Sequence, residues 1–173
     1  AIIKKLKENQ NITEIYALPG NGGIAADATC VAIGAKDIEK IVAFAKDIAA
    51  DYAIVAPDDP LVLGAVDALN AVGIPCFGPT KAAAIIEGSK VFSKDLMKKY
   101  GIPTAAYENF TDPQAALDYL ETAKMPIVLK ADGLALGKGV LICQNLEEAR
   151  AGVKEIMEDK KFGSAGNQMV VEE

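Results

Sequence analysis

The stretch PIVLKADGLALGKGVLIC, residues 126–143, decides how the rest of the chain is read. It passes from one apolar, β-branched run to another through Gly133, Gly137 and Gly139, with Lys130 at the end of the first run and Lys138 between the last two glycines. Glycine gives up packing and costs backbone entropy on folding, so a simple turn is served by one. Three imply that something approaches this backbone. The pattern reads as strand, loop, strand, with Lys130 on a strand buried on at least one side. A lysine in such a run costs several kcal/mol of desolvation unless an anion meets it, and successive N–H groups of a glycine-rich turn form an anion-binding concavity. Together they suit a nucleotide polyphosphate. A plainer reading fits the same residues: Lys130 snorkels to solvent at a sheet edge and the glycines only make a hairpin.

Two better-known phosphate cradles fail. The Walker A pattern needs four residues between its glycines and Ser or Thr after the lysine, whereas GLALGKG has three and a glycine. The earlier PGNGGIA fits G-x-G-x-x-A nominally, but the next strand-like run follows too soon for the helix whose N-terminus would hold a pyrophosphate.

Composition narrows the classes. The 173 residues are 51% hydrophobic, enough for one sizeable core or for a domain with a small second one. With 24 acidic against 18 basic residues the net charge is −6, and no dense basic cluster occurs, so nucleic acid is not expected as a partner. Apolar runs fall far short of the roughly 18 residues that span a bilayer, and the opening AIIKKLKENQ has no leader signature. A soluble cytoplasmic protein is expected, without membrane contact. The chain has no histidine, which removes Ser-His-Asp and Cys-His schemes and His-ligated zinc. Cys30, Cys76 and Cys143 stand far apart in apolar runs and read as small buried hydrophobes.

Along the chain, strands are expected at residues 14–18, 30–33, 53–56, 75–77, 126–131, 140–143 and 168–171. Helices are expected at 37–50 behind an Asp37 cap, at 61–72 ending on Gly73, in two pieces around Gly88 with the second capped by Ser89 and stopped by Gly101, at 111–121 capped by Thr111, and from 146 to about 157. Alternation over residues 1–78 argues a parallel, doubly wound α/β sheet. Ile2, Ile3 and Leu6 share a helix face with no strand before them, so the first strand of that sheet is expected to be missing. Residues 79–107 read as connector helices, and 108–173 as a second, α+β unit carrying the glycine loop.

GPTKAAAIIEGSKVFSKDLMKKYGIPTAAYENF, then PIVLKADGLALGKGVLI, then VVEE, closely resembles the phosphoribosylamine–glycine ligase family, also called glycinamide ribonucleotide synthetase, of the ATP-grasp superfamily. The resemblance includes LPGNGGIA and PDDPLVLGAVDALNAVGIPCFGPT and runs over nearly the whole chain. It implies a fold of a doubly wound α/β domain followed by an ATP-grasp lid subdomain. It also implies that Lys94 and Lys130 reach the phosphates of ATP, that residues 132–139 form a flap over them with Asp132, Gly133, Gly137, Lys138 and Gly139 as contacts or close-approach points, and that Glu172 and Glu173 meet the adenine, although without the resemblance these two acids read as solvated. Gly20, Asn21 and Gly22 are then candidates for the phosphate or ribose of phosphoribosylamine, although turn formation explains the same residues. Pro57 and Asp58 lie after a strand, where ligands of open α/β sheets collect, although Asp58 or Asp59 equally serves as a helix cap.

Members of the family usually open with a strand and a Gly-Gly-Arg-Glu-His-Ala segment, of which this sequence resembles only the final alanine, and they continue into a larger half bearing magnesium ligands. A fragment, inactive alone, is therefore expected. The implied reaction joins glycine to 5-phosphoribosylamine through glycyl phosphate in purine biosynthesis, using ATP and Mg2+, with small-molecule partners, a monomer, and no metal ligands in this fragment. The alternatives are another ATP-grasp ligase of the biotin-carboxylase kind and a non-catalytic nucleotide-binding module.

Overall fold

The computed structural model describes residues 1–134 and 139–173. The chain divides into two compact units, residues 1–82 and 83–173, so the expected connector at 79–107 is shared between them.

The first unit runs α1 (Ile2–Leu6), β1 (Tyr16–Ala17), β2 (Thr29–Cys30), α2 (Ile38–Asp47), β3 (Ala53–Ile54), α3 (Asp58–Leu63), α4 (Ala65–Ala71) and β4 (Cys76–Phe77), with α5 (Lys81–Gly88) beginning at its end. Its strands pair in parallel, as the alternation predicts, but as two separate two-stranded ladders, β1 with β2 and β3 with β4. Its core joins Ala45 of α2, Val55 after β3, Ala65, Val66 and Leu69 of α4, and Ile74. Asp37 caps α2 by accepting from the Lys40 N–H at 3.2 Å. The single helix expected at 61–72 is two. Gly64 has φ 91 and takes the chain out of the right-handed region between α3 and α4, a conformation that glycine alone adopts without strain. Cys143 is buried as expected, Cys76 is half-buried, and Cys30 is exposed at the end of its two-residue strand.

The second unit continues with α6 (Lys90–Tyr100), β5 (Tyr107–Phe110), α7 (Pro113–Leu120), β6 (Ile127–Ala131), β7 (Val140–Cys143), α8 (Leu146–Val153), a π-helical turn at Lys154–Glu158, a 3-10 turn at Gly163–Asn167, and β8 (Met169–Glu172). Ser89 caps α6, accepting from Phe92 N–H at 3.0 Å, and Gly101 closes it. The cap of α7 is Asp112, not Thr111: its carboxylate accepts from Ala115 N–H at 2.9 Å. The strands form one antiparallel sheet in the order β5-β8-β6-β7. β5 was not foreseen from the sequence.

Register divides this sheet into two faces. Cross-strand partners point to the same side, so Ile127 with Cys143, Leu129 with Leu141 and Val171, and Ala131 with Met169 and, through it, Phe110 share one face. That face packs with Ala116 and Leu120 of α7, Ala149 and Val153 of α8, and Ile156 as the core of the unit. Tyr107, Asn109, Val128, Lys130, Val140, Ile142, Val170 and Glu172 fall on the other face.

Candidate functional site

Three links tie α6 to the second face, each to a different strand. Asp95 Oδ1 accepts from Tyr107 Oη and Asn109 Nδ2 of β5, each at 2.9 Å. Lys94 Nζ donates to Glu172 Oε1 of β8 at 2.6 Å. At the head of the helix, Asp132, just past β6, accepts from Ser89 Oγ and from the Val91 N–H at 3.1 Å. The consequence is a charged cluster at one end of a sheet face.

Glu172 is its centre. One carboxylate oxygen takes Lys94 and the other takes Lys130 of β6, so both lysines expected to reach phosphate meet one acid. Burial pushes the Glu172 carboxyl up, but the hydrogen bonds from Lys130 and then Lys94 outweigh it and hold the group below its ordinary value. Lys94 is 8% exposed, the one buried charged residue among those described, and its ammonium also donates to Thr104 Oγ1 at 2.6 Å and stands 5.5 Å from the centre of the Tyr107 ring. Lys130 is half-buried, and its side chain is more open than that of Lys94.

A third lysine, passed over in the sequence, joins the cluster. Lys90 is half-buried and donates to the Gly133 carbonyl at the start of the glycine loop, at 2.6 Å. Burial pushes its pKa down, with Asp132 opposing and Lys130 adding to the shift. Its signal was available: it follows the Ser89 cap and lies four residues before Lys94, hence on the same helix face. A partly desolvated ammonium whose described partner is a neutral carbonyl is poised for an anion.

The other expected contacts fall as follows. Gly133 meets Lys90 through its carbonyl, and Gly139 accepts from the Ala131 N–H at 2.8 Å, closing the stem of the loop. Gly137 and Lys138 lie outside the described residues. Glu173 is exposed, and its N–H donates to Ala106 O at 3.1 Å. In the first unit, Asn21 Oδ1 accepts from the Gly23 and Ile24 N–H groups at 3.0 Å, a side-chain turn that commits its carbonyl. A Cβ on Gly20 would lie 2.3 Å from Cys30 Sγ, which gives that glycine a packing reason, whereas Gly22 faces open space. Pro57 precedes α3; Asp58 accepts from the Asp59 N–H at 2.9 Å, and Asp59 pairs with Lys36 at 2.9 Å. Among the described residues no three acidic or thiol side chains converge to hold a metal ion, and both acids beside the lysines, Glu172 and Asp132, are already committed.

Comparison with known proteins first sets the class, an ATP-grasp protein, since residues 88–173 match an ATP-grasp domain model. The biotin carboxylase domain of the 2-oxoglutarate carboxylase of Hydrogenobacter thermophilus shares the fold, with a TM-score of 0.79 over 99% of this chain and 40% of that one at 20% identity. More narrowly, the chain belongs to the phosphoribosylglycinamide synthetase family. Residues 1–87 match its N domain and residues 88–173 its ATP-grasp (A) domain. The phosphoribosylamine–glycine ligase of Vibrio cholerae is 48% identical over the whole chain, and that of Vibrio vulnificus 49% over 98% of it. The crystal structure of the Thermotoga maritima ligase superposes with a TM-score of 0.76 over 95% of this chain and 38% of that one, at 30% identity. The chain spans about two fifths of the length of these curated relatives, 41% and 40%.

Proposed function

We propose that this chain supplies the front part of a phosphoribosylamine–glycine ligase, binding ATP through the charged face of its second unit. The partly desolvated lysines beside the stem of a glycine-rich loop carry this reading. Lys130 and Lys90 face the triphosphate, and Lys138 is kept as a further phosphate contact on the sequence resemblance alone. Exposed Val140 and Ile142 and half-buried Val128 share the face with Lys130 and offer the adenine an apolar surface, while Glu173 and the Glu172 backbone edge it. Gly20, Asn21, Gly22, Pro57 and Asp58 are the substrate-side candidates in the first unit.

In the reaction, the glycine carboxylate attacks the γ-phosphorus of ATP, giving glycyl phosphate and ADP. The amine of 5-phosphoribosylamine then attacks the acyl carbon, phosphate leaves, and the nitrogen loses a proton to give glycinamide ribonucleotide. No enzyme nucleophile is needed, in keeping with a chain without histidine. The residues here act electrostatically, by placing fixed positive charge against the transferring phosphoryl group. The described residues do not make a magnesium site, and its ligands are assigned to the length the relatives have beyond this chain.

The test is phosphate release by the full-length protein with MgATP, glycine and phosphoribosylamine, each omitted in turn. Release that requires both glycine and phosphoribosylamine is expected. Release driven by a different carboxylate or amine moves the protein elsewhere among ATP-grasp ligases, and ATP binding without turnover makes it a nucleotide-binding module.

A further inference from the structure

Lys94 and Lys130 meet the same carboxylate, but their surroundings differ. The Lys94 ammonium has three hydrogens to give. Thr104 Oγ1 and Glu172 Oε1 accept two at 2.6 Å each, and the Tyr107 ring lies beside the nitrogen at 5.5 Å. At 8% exposure the residue leaves little surface for a phosphate oxygen. Lys130 has one partner among the described residues, the second oxygen of Glu172, and its side chain is 26% exposed against 10% for Lys94.

Charge then decides the roles. Lys94, Glu172 and Lys130 together carry one net positive charge. Were Lys94 absent, Glu172 and Lys130 would form a closed neutral pair, and the ammonium facing the open side would lose most of its pull on an anion. We propose that Lys94 is a positioning residue and not a phosphate ligand: anchored by Thr104, it holds the Glu172 carboxylate and shares it, so that Lys130 is oriented yet left cationic for the polyphosphate. The inference rests on the ATP-binding reading above and deepens it, since it divides two lysines that sequence alone treats alike.

The experiment measures Kd for ATP and for adenosine in the full-length protein by titration calorimetry, for the wild type, Lys94→Met, Glu172→Gln, the double variant and Thr104→Val. Lys94→Met is expected to weaken ATP by about tenfold or more, the size usual for losing a residue that orients a binding group, and to leave adenosine within about twofold. In the Glu172→Gln background the same change is expected to cost less than about threefold, because a residue that acts through another shows non-additive effects. Thr104→Val, which removes a partner of Lys94 remote from the open side, is expected to weaken ATP by about threefold, a partial loss of the same orientation. In the phosphate-release assay, KM for ATP is expected to rise in Lys94→Met and kcat to fall with it, because Lys130 then sets less positive charge against the transferring phosphoryl group.

Equal losses from Lys94→Met in both backgrounds, or a Thr104→Val protein with wild-type affinity, overturn the proposal and make Lys94 a direct ligand. Should Lys94→Met fail to fold, Thr104→Val decides alone. A wild-type protein that binds no ATP brings down the ATP reading itself, and this inference with it; ATP binding with the wrong pattern brings down only the inference.

Discussion

The two faces of the four-stranded sheet are made from alternate residues of the same strands and have opposite chemistry. On one, Ile127, Leu129, Ala131, Cys143, Met169 and Val171 are 0–3% exposed beneath α7 and α8. On the other, Lys130 and Glu172 face α6, while Val140 and Ile142 stand 41% and 67% exposed. A period of two lets one strand serve stability with one set of side chains and binding with the next, and it ties the two together, because a one-residue slip would exchange them. The difference implies that substitutions one residue apart differ in kind. Leu129→Ala should cost about 2–5 kcal/mol, the range for a fully buried leucine, read as a fall in the urea midpoint followed by circular dichroism. A loss under about 1 kcal/mol would mean that this face is not the core.

The next largest effect lies on the charged face. Glu172→Gln removes the negative charge shared by two lysines and puts an amide donor where one of them had an acceptor, so that either Lys94 or Lys130 is left short of a partner. Leaving a buried polar group short of a partner costs about 1–3 kcal/mol, and more where it is charged; with the amide oxygen still accepting one lysine, the fall in the urea midpoint should not exceed that in Leu129→Ala. The same carboxylate gives the sheet a pH dependence. Its folded pKa lies below the ordinary 4.5, since the lysine hydrogen bonds outweigh burial. Its stabilisation is therefore complete above that ordinary value and is lost as pH falls through the lower folded one. Midpoints measured from pH 7 downwards should drop more steeply below 4.5 in the wild type than in Glu172→Gln; parallel curves would show that Glu172 is not held low.

What was readable in the sequence follows the chemistry of each signal. Asp37, Ser89 and Gly101 mark helix ends correctly because capping is a local act of one side chain or one backbone conformation. The strands bounding the glycine loop were legible because their apolar β-branched runs are continuous. β5 was not: Tyr107, Glu108 and Asn109 carry polar groups, and the strand exists by pairing with β8 at the far end of the chain and by lending Tyr107 and Asn109 to Asp95. Gly64 looked like an ordinary residue within one apolar-periodic run, because a positive φ leaves no trace in hydropathy. At the site, resemblance pointed to Lys130 and Glu172, but spacing could not say that the two meet. Nor could it say that Asp132 ties the loop stem to α6 across 43 residues, since that bond depends on how the elements fold together. Lys90 was missed because a lysine next to a helix cap looks like a solvated one until the stem of the loop is seen against it.

The smallest effect should come from Ile142, which sits on the edge strand β7 across from Val128. As a large aliphatic side chain it would contribute as much as Leu129 if hydrophobicity alone counted. At 67% exposure it keeps most of its surface in water, folded or unfolded, so Ile142→Thr should move stability by no more than about 0.5 kcal/mol. Thr is also a good strand former, which leaves the pairing with β6 unchanged. If the face is where a nucleotide base lies, the cost falls on binding. ATP affinity should drop by about three- to tenfold, on the order of 1 kcal/mol, because the base then rests on a smaller apolar surface. A variant that loses stability instead, with ATP affinity intact, would make Ile142 a core residue and would erase the distinction between the two faces at this edge.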